Sequence, residues 1–504
     1  MNIYFVVLDC GATSIRAVTI GEKGEILHIS SCPNAPRPQE GIRENLIWDV
    51  DEVWDKSIRV VRDVVSKTPG KAVSLTVTAF GADGAPVKKD GSLTYPVISW
   101  QCSRTVPWTN RLIGSLSARE IFRITGYQII PFNTLFKLLW LRENAPRSLE
   151  QADCFMMMPG ILSHRFCGEF SIDWTSASTT MMLDIQNKTW SKRILSLAEL
   201  DSSFFPRMVR PGEVIGTLLD KVAGETGLPG KIPVISTGHD TQFALMGSLA
   251  SPDEVILNSG TWEIAALRVS ECRDSDRAFE LGILTEIDSE EGLWNPQMLM
   301  IAGGVVEWVR RNFFCDIKDH GEIYRMMIEG AQQVPPGSRG VVAIPSFMPS
   351  GPNKPQHTQG TLLGLELTTE RVEIFRAVLE GLCYQLKQAV LAFREVFSFV
   401  PQGIRVVGGG AKNTLWNQIR ADVLNLPVLT TSVEEATVLG ATLFSMVGSG
   451  FTQNIDQARE MIVIDTRTFE PSNLTPVYQG FFEEYAKIPF FLAPHYRNRG
   501  EFSV

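Results

Sequence analysis

Several short segments carry residue types and spacings suited to phosphoryl transfer. The first, Asp9-Cys-Gly-Ala-Thr13-Ser14, follows an apolar strand pattern. Its small residues would let backbone N–H groups approach a phosphate while Asp9 faces a cation or its water shell. It differs from a Walker-type loop, because no GxxxxGK[ST] string occurs and the turn leads into a second strand. Alone it reads as a plain hairpin, since Asp and Gly favour turns for local reasons. Ser259-Gly260-Thr261-Trp262 repeats the layout. Two such hairpins, facing each other, would hold a nucleotide's phosphate tail from both sides, with Asp9 near the metal and Thr261 donating its hydroxyl.

A third turn, Gly408-Gly409-Gly410-Ala411, joins an apolar strand to a helix pattern beginning near Thr414. A turn of this kind lets adenosine or phosphate lie against bare backbone, and it equally serves tight strand–helix packing. The carboxylate best placed to accept a hydroxyl proton is Asp240, in Ser236-Thr-Gly-His-Asp240-Thr-Gln. It follows the apolar run Ile232 to Ile235 and precedes a helix pattern, so its local sequence reads as a helix N-cap where the dipole keeps a carboxylate ionised. His239 has no sequence partner that would make it a base and is read as structural or substrate-contacting. Asp83, in Phe80-Gly-Ala-Asp83-Gly84, lies on a turn and is read either as a ligand for sugar hydroxyls or as a turn former. Trp100, Arg104 and Trp108 read as packing in preference to a sugar platform.

The elements that must position these residues show a repeat. VVLDCGATSIRAV (Val6 to Val18) and VILNSGTWEIAAL (Val255 to Leu267) align without gaps at an offset of 249, placing Asp9 on Asn258, Gly11 on Gly260 and Ile15 on Ile264. That offset is close to half of the 504 residues and predicts a duplicated lobe. Around each copy, strand and helix patterns alternate as in layered α/β lobes. Helices are expected at Val53 to Val65, Glu370 to Val396 and Thr414 to Leu424, and strands at Ala72 to Ala79 and Ile404 to Val407. Ser248 to Pro252 is the expected hinge, and the expected divisions are 1–247, 248–470 and a C-terminal extension 471–504 where signals weaken.

Length implies about two to four domains. Composition, at 44% hydrophobic and 20% charged, supports a chain folded throughout. A formal charge of −9 argues against general affinity for nucleic acid or anionic membrane, so bound phosphate needs a local site. Eight scattered cysteines without a CxxC pair read as reduced thiols in a cytoplasmic protein, and no apolar run is long enough to span a membrane.

Taken together, DCGATSIR, FGADG, STGHDTQFA, NSGTWEI, AGGVVEWVRR and VVGGGAKNTLWNQIRADVL resemble, in order and over nearly the whole chain, the FGGY carbohydrate kinases. The resemblance implies an α/β fold of two actin-like ATPase (ribonuclease H-like) lobes with a cleft between them. It implies Asp9, Thr13 and Arg16 in the first phosphate hairpin, with Asp9 also at Mg2+. Asp83 and His239 fall at the sugar, and Asp240 at the sugar as catalytic base. Gly260 and Thr261 fall in the second hairpin, Gly303 and Glu307 in a nucleotide-side helix turn, and Gly409 and Asn413 in the adenosine loop. Several family members carry Gln where Glu307 stands.

ATP and Mg2+ are the implied cofactors and a small sugar the partner, with a homodimer as the assembly the resemblance admits and neither nucleic acid nor membrane involved. NTLWNQIRADVL, SGTWEI and FNTLFKLLWLRENAP are most like the branch that phosphorylates L-fuculose at its C1 hydroxyl, giving L-fuculose 1-phosphate and ADP in deoxy-sugar catabolism. L-rhamnulose or another ketose or pentulose is the alternative substrate. A non-catalytic, actin-like sugar sensor and a plain ATPase are the alternatives from other classes. No basic helix-turn-helix segment is appended for a sensor's DNA, and the full motif set surrounds Asp240.

Overall fold

The computed structural model describes residues 2–273, 275–317, 319–347, 358–433 and 435–497. The first strand, β1 (Ile3–Cys10), is apolar on both faces, the pattern of a central strand covered from both sides. Tyr4, Val6, Leu8 and Cys10 enter one core, and Phe5 and Val7 enter another. It pairs antiparallel with β2 (Ser14–Ile20), which pairs antiparallel with β3 (Ile26–Pro33). Helix α1 (Val50–Lys67) covers the Leu8 face through Val53, Val60, Val61 and Val64, a helical spacing. Asp49 caps its start by accepting from the amides of Asp51 and Glu52. The chain returns as β4 (Lys71–Ala79), parallel to β1. Strands β5 (Val214–Thr217) and β6 (Pro233–Ile235) then complete a sheet of order β5-β6-β4-β1-β2-β3. Between β4 and β5, short helices and strands build a separate core around Phe136, Phe155 and Ile172.

Helix α2 (Asp240–Gly247) leads out of this sheet into the second. There β7 (Glu254–Ser259) and β8 (Trp262–Ala266) form the second hairpin, followed by β9 (Leu284–Ile287), β10 (Trp294–Ile301) and α3 (Gly303–Phe313). The long α4 (Arg371–Phe397), β11 (Gly403–Val407), α5 (Thr414–Leu424), β12 (Val428–Thr431), α6 (Ala436–Gly448) and β13 (Thr466–Phe469) finish it. Its order is β9-β10-β8-β7-β11-β12-β13. Apart from the extra edge strand β9, the two sheets have the same order and the same strand directions. This is a duplicated ribonuclease H-like lobe, as the internal echo predicts.

The gapless alignment needs one correction. In the first hairpin Asp9 faces Arg16 and Cys10 faces Ile15, whereas in the second Asn258 faces Ile264 and Ser259 faces Glu263. The second turn is one residue shorter, so Ile264 corresponds to Arg16 and Glu263 corresponds to Ile15. The two sheets are joined by α2 and α6, which cross where Gly247 lies against the backbone of Ala436 and Gly440. Helix α6 packs Val438 and Ala441 onto Phe5, Val7 and Val18 of the first sheet, although it follows the last parallel strand of the second. In the expected hinge, Leu249 takes a φ of +52°. Beyond Pro471 lies α7 (Thr475–Tyr485), burying Tyr478, Phe482 and Tyr485 against α4 and α5. All eight cysteines are free thiols. Among the described residues no helix is long and apolar enough to cross a membrane.

Candidate active site

Asp9 is the penultimate residue of β1, with only 2% of its surface exposed. Hairpin register sets Arg16 opposite it, and the Arg16 Nε donates to Asp9 Oδ2 at 2.8 Å. An Arg16 terminal nitrogen lies 2.7 Å from the carboxylate of Glu435, at the N-cap of α6, so a residue from the second half of the chain closes this cluster. Burial pushes the Asp9 carboxyl up against the pull of Arg16. Its Oδ1 is buried and has no hydrogen-bond partner among the described residues, which fits a carboxylate built to meet a cation or an ordered water. No group of three or more His, Cys, Asp or Glu side chains arranged to hold a metal ion occurs there or elsewhere among the described residues. A hydrated hard cation sharing its shell with phosphate oxygens needs only such a single carboxylate.

The turns themselves are closed by their glycines. Gly11 N donates to Ser14 O and Gly260 N to Trp262 O, both at 2.9 Å. The amides of Ala12, Thr13 and Thr261 make no backbone hydrogen bond among the described residues and are the ones left for a ligand. Thr13 and Thr261 are both exposed at the tips. Asn34, which the motifs do not reveal, staples the first turn by donating from Nδ2 to Gly11 O at 2.9 Å.

Asp240 occupies the first turn of α2, and His239 is the N-cap residue, a shift of one position from the sequence reading. The Asp240 Oδ1 accepts from the Thr241 amide at 2.7 Å, and 30% of the side chain is open. Burial pushes the carboxyl up to about 6, with His239 opposing and Asp9 adding to the rise. Its neighbourhood therefore poises the group near neutrality, beyond simply keeping it ionised. His239 lies between carboxylates, with Nε2 3.4 Å from Asp240 Oδ1 and Nδ1 3.3 Å from Glu286 Oε2. The latter is an ion pair, not an aligned hydrogen bond. Burial works against the imidazolium, but Glu286, Asp240 and Asp173 outweigh it and push His239 up to about 9.

The turn after β4 sits against this pair. Ala79 N donates to Gly238 O at 3.0 Å, and a Cβ on Gly81 would come within 2.9 Å of the His239 ring. Ala82 is held at φ +65° by Thr179 Oγ1 on its amide and by Thr134 and Lys137 on its carbonyl. Asp83 itself is fully buried and saturated, accepting from Lys137 Nζ, from Trp48 Nε1 at 2.6 Å and from the Trp100 amide at 3.0 Å. The structure thus sets Asp83 behind the turn, as the clamp of Phe80-Gly81-Ala82, with its carboxylate taken up by Lys137, Trp48 and the Trp100 amide.

On the other side, two of the assigned segments converge on the second hairpin. Gly303 N donates to Gly260 O at 3.2 Å, and any side chain at 303 would strike that carbonyl. Any side chain at Gly410 would strike Ser259 Oγ, while Gly409 faces open space. Asn413 caps α5 by accepting from the Trp416 amide at 3.0 Å. Glu307 is taken up by Arg310, at 2.6 and 2.7 Å, and by the Tyr324 hydroxyl, so its oxygens serve its own helix and the next. Behind the hairpin, the fully buried Arg420 pairs with Glu263 and donates to Ser259 Oγ at 2.9 Å and Asn417 Oδ1 at 2.7 Å.

Residues 4–247 match the model of the FGGY family of carbohydrate kinases, N-terminal domain, and residues 255–449 match that of the C-terminal domain. An L-fuculokinase of Escherichia coli (strain K12) is 39% identical over 470 residues, covering 92% of this chain and 97% of that protein. One from Haemophilus influenzae is 35% identical over 464 residues, covering 90% and 97%. A solved xylulose kinase from Lactobacillus acidophilus superposes with a TM-score of 0.88 at 21% identity, covering 99% of this chain and all of that one. Plasmodium falciparum glycerol kinase with ADP gives 0.86 at 19% identity, covering 97% of each chain. These share the two-lobe, actin-like fold. The chain belongs to the FGGY family of carbohydrate kinases.

Proposed function

We propose that this kinase transfers the γ-phosphoryl group of ATP to the C1 hydroxyl of L-fuculose in the cytoplasm, with Asp240 as catalytic base. The observation that carries the assignment of the base is the Asp240 carboxylate. It is partly open and fixed on the first turn of α2, and burial brings it to about 6 beside the Asp9–Arg16 pair. A base whose pKa lies close to the working pH combines a large ionised fraction with a useful appetite for the proton. The sugar is supported by the L-fuculokinases similar to this chain over almost its full length.

Asp240 takes the proton as the C1 oxygen forms its bond to the γ-phosphorus. The bond from that phosphorus to the β–γ bridging oxygen breaks, and ADP leaves. Arg16 steadies phosphate charge next to Asp9, while the outward amides of Ala12, Thr13 and Thr261 bind phosphate oxygens. Asp9, with its unpartnered Oδ1, is the residue that would hold Mg2+, which when bound neutralises charge on the phosphates. Closure of the lobes excludes water, which at about 55 M would compete with the sugar as acceptor.

Kinetics on a panel of ketoses and pentuloses at fixed ATP and Mg2+ tests the substrate. L-Fuculose should lead in kcat/KM, and a lead of about tenfold or more for L-rhamnulose or D-xylulose would refute it. Asp240→Asn should lower kcat by roughly 100- to 10,000-fold with ATP binding retained. In the parent enzyme kcat/KM should rise with pH through about 6, because only the ionised carboxylate accepts the proton. A near-normal rate in the variant would remove Asp240 from the role.

A further inference from the structure

We propose that Glu286 is a positioning residue of the acceptor site. Delivered by β9 of the second sheet, its carboxylate anchors His239 at Nδ1, so that Nε2–H stands beside Asp240 and donates to the sugar oxygen neighbouring the reacting hydroxyl. The inference rests on the kinase reading above and adds a residue from the other half of the chain to it.

Glu286 is 3% exposed, and its side chain is spoken for at both oxygens. The Tyr127 hydroxyl donates to Oε1, and Gln242 Nε2 donates to Oε2 at 2.5 Å. Gln242 lies two residues beyond Asp240 on α2, so one helix places the base and fixes the group that holds the base's neighbour. Strand β9 is itself joined to the turn carrying Tyr127, since Thr285 N donates to Gly126 O at 2.8 Å and a Cβ on Gly126 would approach Thr285 O to 2.5 Å. The imidazole is confined from other directions by Gly81 against its edge and by Thr175 Oγ1, which accepts from the His239 amide at 3.0 Å.

The charged and titratable groups facing His239 are Glu286 on β9, Asp240 on α2 and Asp173, the N-cap of the short helix Trp174–Ser178. Tyr127 reaches it only through Glu286. Ringed by three carboxylates, the imidazole keeps a proton on both nitrogens at neutral pH, whereas a neutral ring would offer a lone pair at one of them. A fixed donor in a water-poor site discriminates strongly against an acceptor that lacks the matching oxygen. Removal of Glu286 leaves the ring present under its burial penalty with only Asp240 and Asp173 opposing it, so its pKa falls.

Glu286→Gln in the full-length enzyme tests this through the pH dependence of kcat/KM for L-fuculose at saturating ATP. The parent should lose activity on the alkaline side as His239 deprotonates near 9. In the variant that limb should move at least one pH unit toward neutrality and the sugar KM should rise about tenfold, with the ATP KM unchanged and Glu286→Asp restoring part of both. A merely structural role would lower the yield or kcat of the variant and leave the alkaline limb in place, and that result would overturn the proposal. Histidine-labelled NMR titration of the unmodified protein needs neither a variant nor a sugar. Among the six histidines, the signal that disappears in His239→Asn should titrate near 9. If it titrates at the ordinary value, the Glu286 inference fails whatever the sugar, while a different preferred ketose with the His239 shift intact would fault only the substrate assignment.

Discussion

The two hairpins share a strand pattern and a closing glycine bond, yet they distribute charge in opposite ways. In the first, the charged pair Asp9 and Arg16 lies on the face shared with Phe5 and Val18, and the supporting positions Cys10 and Ile15 are apolar and fully buried. In the second, the same sheet positions are reversed in character. Asn258 and Ile264 replace the charged pair, and Ser259 and Glu263 replace the apolar support, locked from behind by Arg420. Duplication kept the backbone and exchanged the sides. The first copy presents a carboxylate and a guanidinium at its turn, while the second presents chiefly backbone and the Thr261 hydroxyl. A buried ion network suits the second copy, because the hairpin, the Gly408–Gly410 turn and α5 all meet at Ser259 and must hold one geometry.

The contrast breaks most severely at the second hairpin's support. Glu263→Ile, which installs the first hairpin's residue, strands the Arg420 guanidinium in a dry interior. Leaving one buried charge unpaired costs roughly 3–5 kcal/mol. Urea denaturation should show the loss. Combining Glu263→Ile with Arg420→Met removes both charges and should recover most of it, since the desolvation penalty disappears with the pair. Failure of the double variant to recover would show that the network does more than compensate its own burial.

At the first hairpin the expected loss is in catalysis. Asp9→Asn gives it the second hairpin's residue and keeps the shape, so kcat should fall by about 100- to 1,000-fold, as for removal of one preorganised electrostatic group. Stability should change little. Burial raises the Asp9 carboxyl, so above its pKa the ionised form weighs against folding, and a neutral amide lacks that penalty while Arg16 retains Glu435. Kinetics against Mg2+ concentration should show a higher concentration needed for half-maximal rate, because a neutral amide holds the cation less tightly. A loss below tenfold would mean that the charged pair is not what separates the two copies.

Much of this was legible in the sequence, for reasons that are local. The helix at 414–424 declares both its ends, through a capping Asn413 and the Pro427 beyond it, and the expected span is the observed one. The expected strand at 72–79 starts one residue late because its first residue, Lys71, is exposed and carries no apolar signal. The α7 helix escaped notice because Pro471 and Pro476 look like breakers. Pro476 occupies the first turn, where a missing N–H costs nothing, and Tyr478, Phe482 and Tyr485 follow at helical spacing. The one-residue difference between the hairpin turns was invisible to a gapless alignment, since both copies place a Gly at the same offset. Glu286 and Glu435 gave no signal at all. Each reaches the site from another strand or helix, through contacts that only the folded chain creates. The partner of Asp83 was hidden too, because a turn Asp beside Gly looks the same with or without a buried Lys137 behind it.

The smallest expected effect is the most direct reading of the difference between the supports. Cys10 and Ser259 occupy equivalent places, and both are fully buried. Ser259 Oγ donates to Glu263 Oε1 at 2.8 Å and accepts from Arg420. Across the strand from Cys10 stands Ile15, which offers a hydroxyl nothing. The thiol there is a small hydrophobe, pushed far up by burial and so never a thiolate at neutral pH. Cys10→Ser changes little volume and leaves no real cavity, so its cost is that of a buried hydroxyl without a partner, about 1–3 kcal/mol. The urea midpoint should fall accordingly while kcat and both KM values stay within about twofold of the parent, because the substitution points into the core under α1 and away from Asp9. An unchanged midpoint would mean that this face of the first hairpin can satisfy a polar group after all, and the division of polar and apolar support between the two copies would then be a matter of history and not of packing.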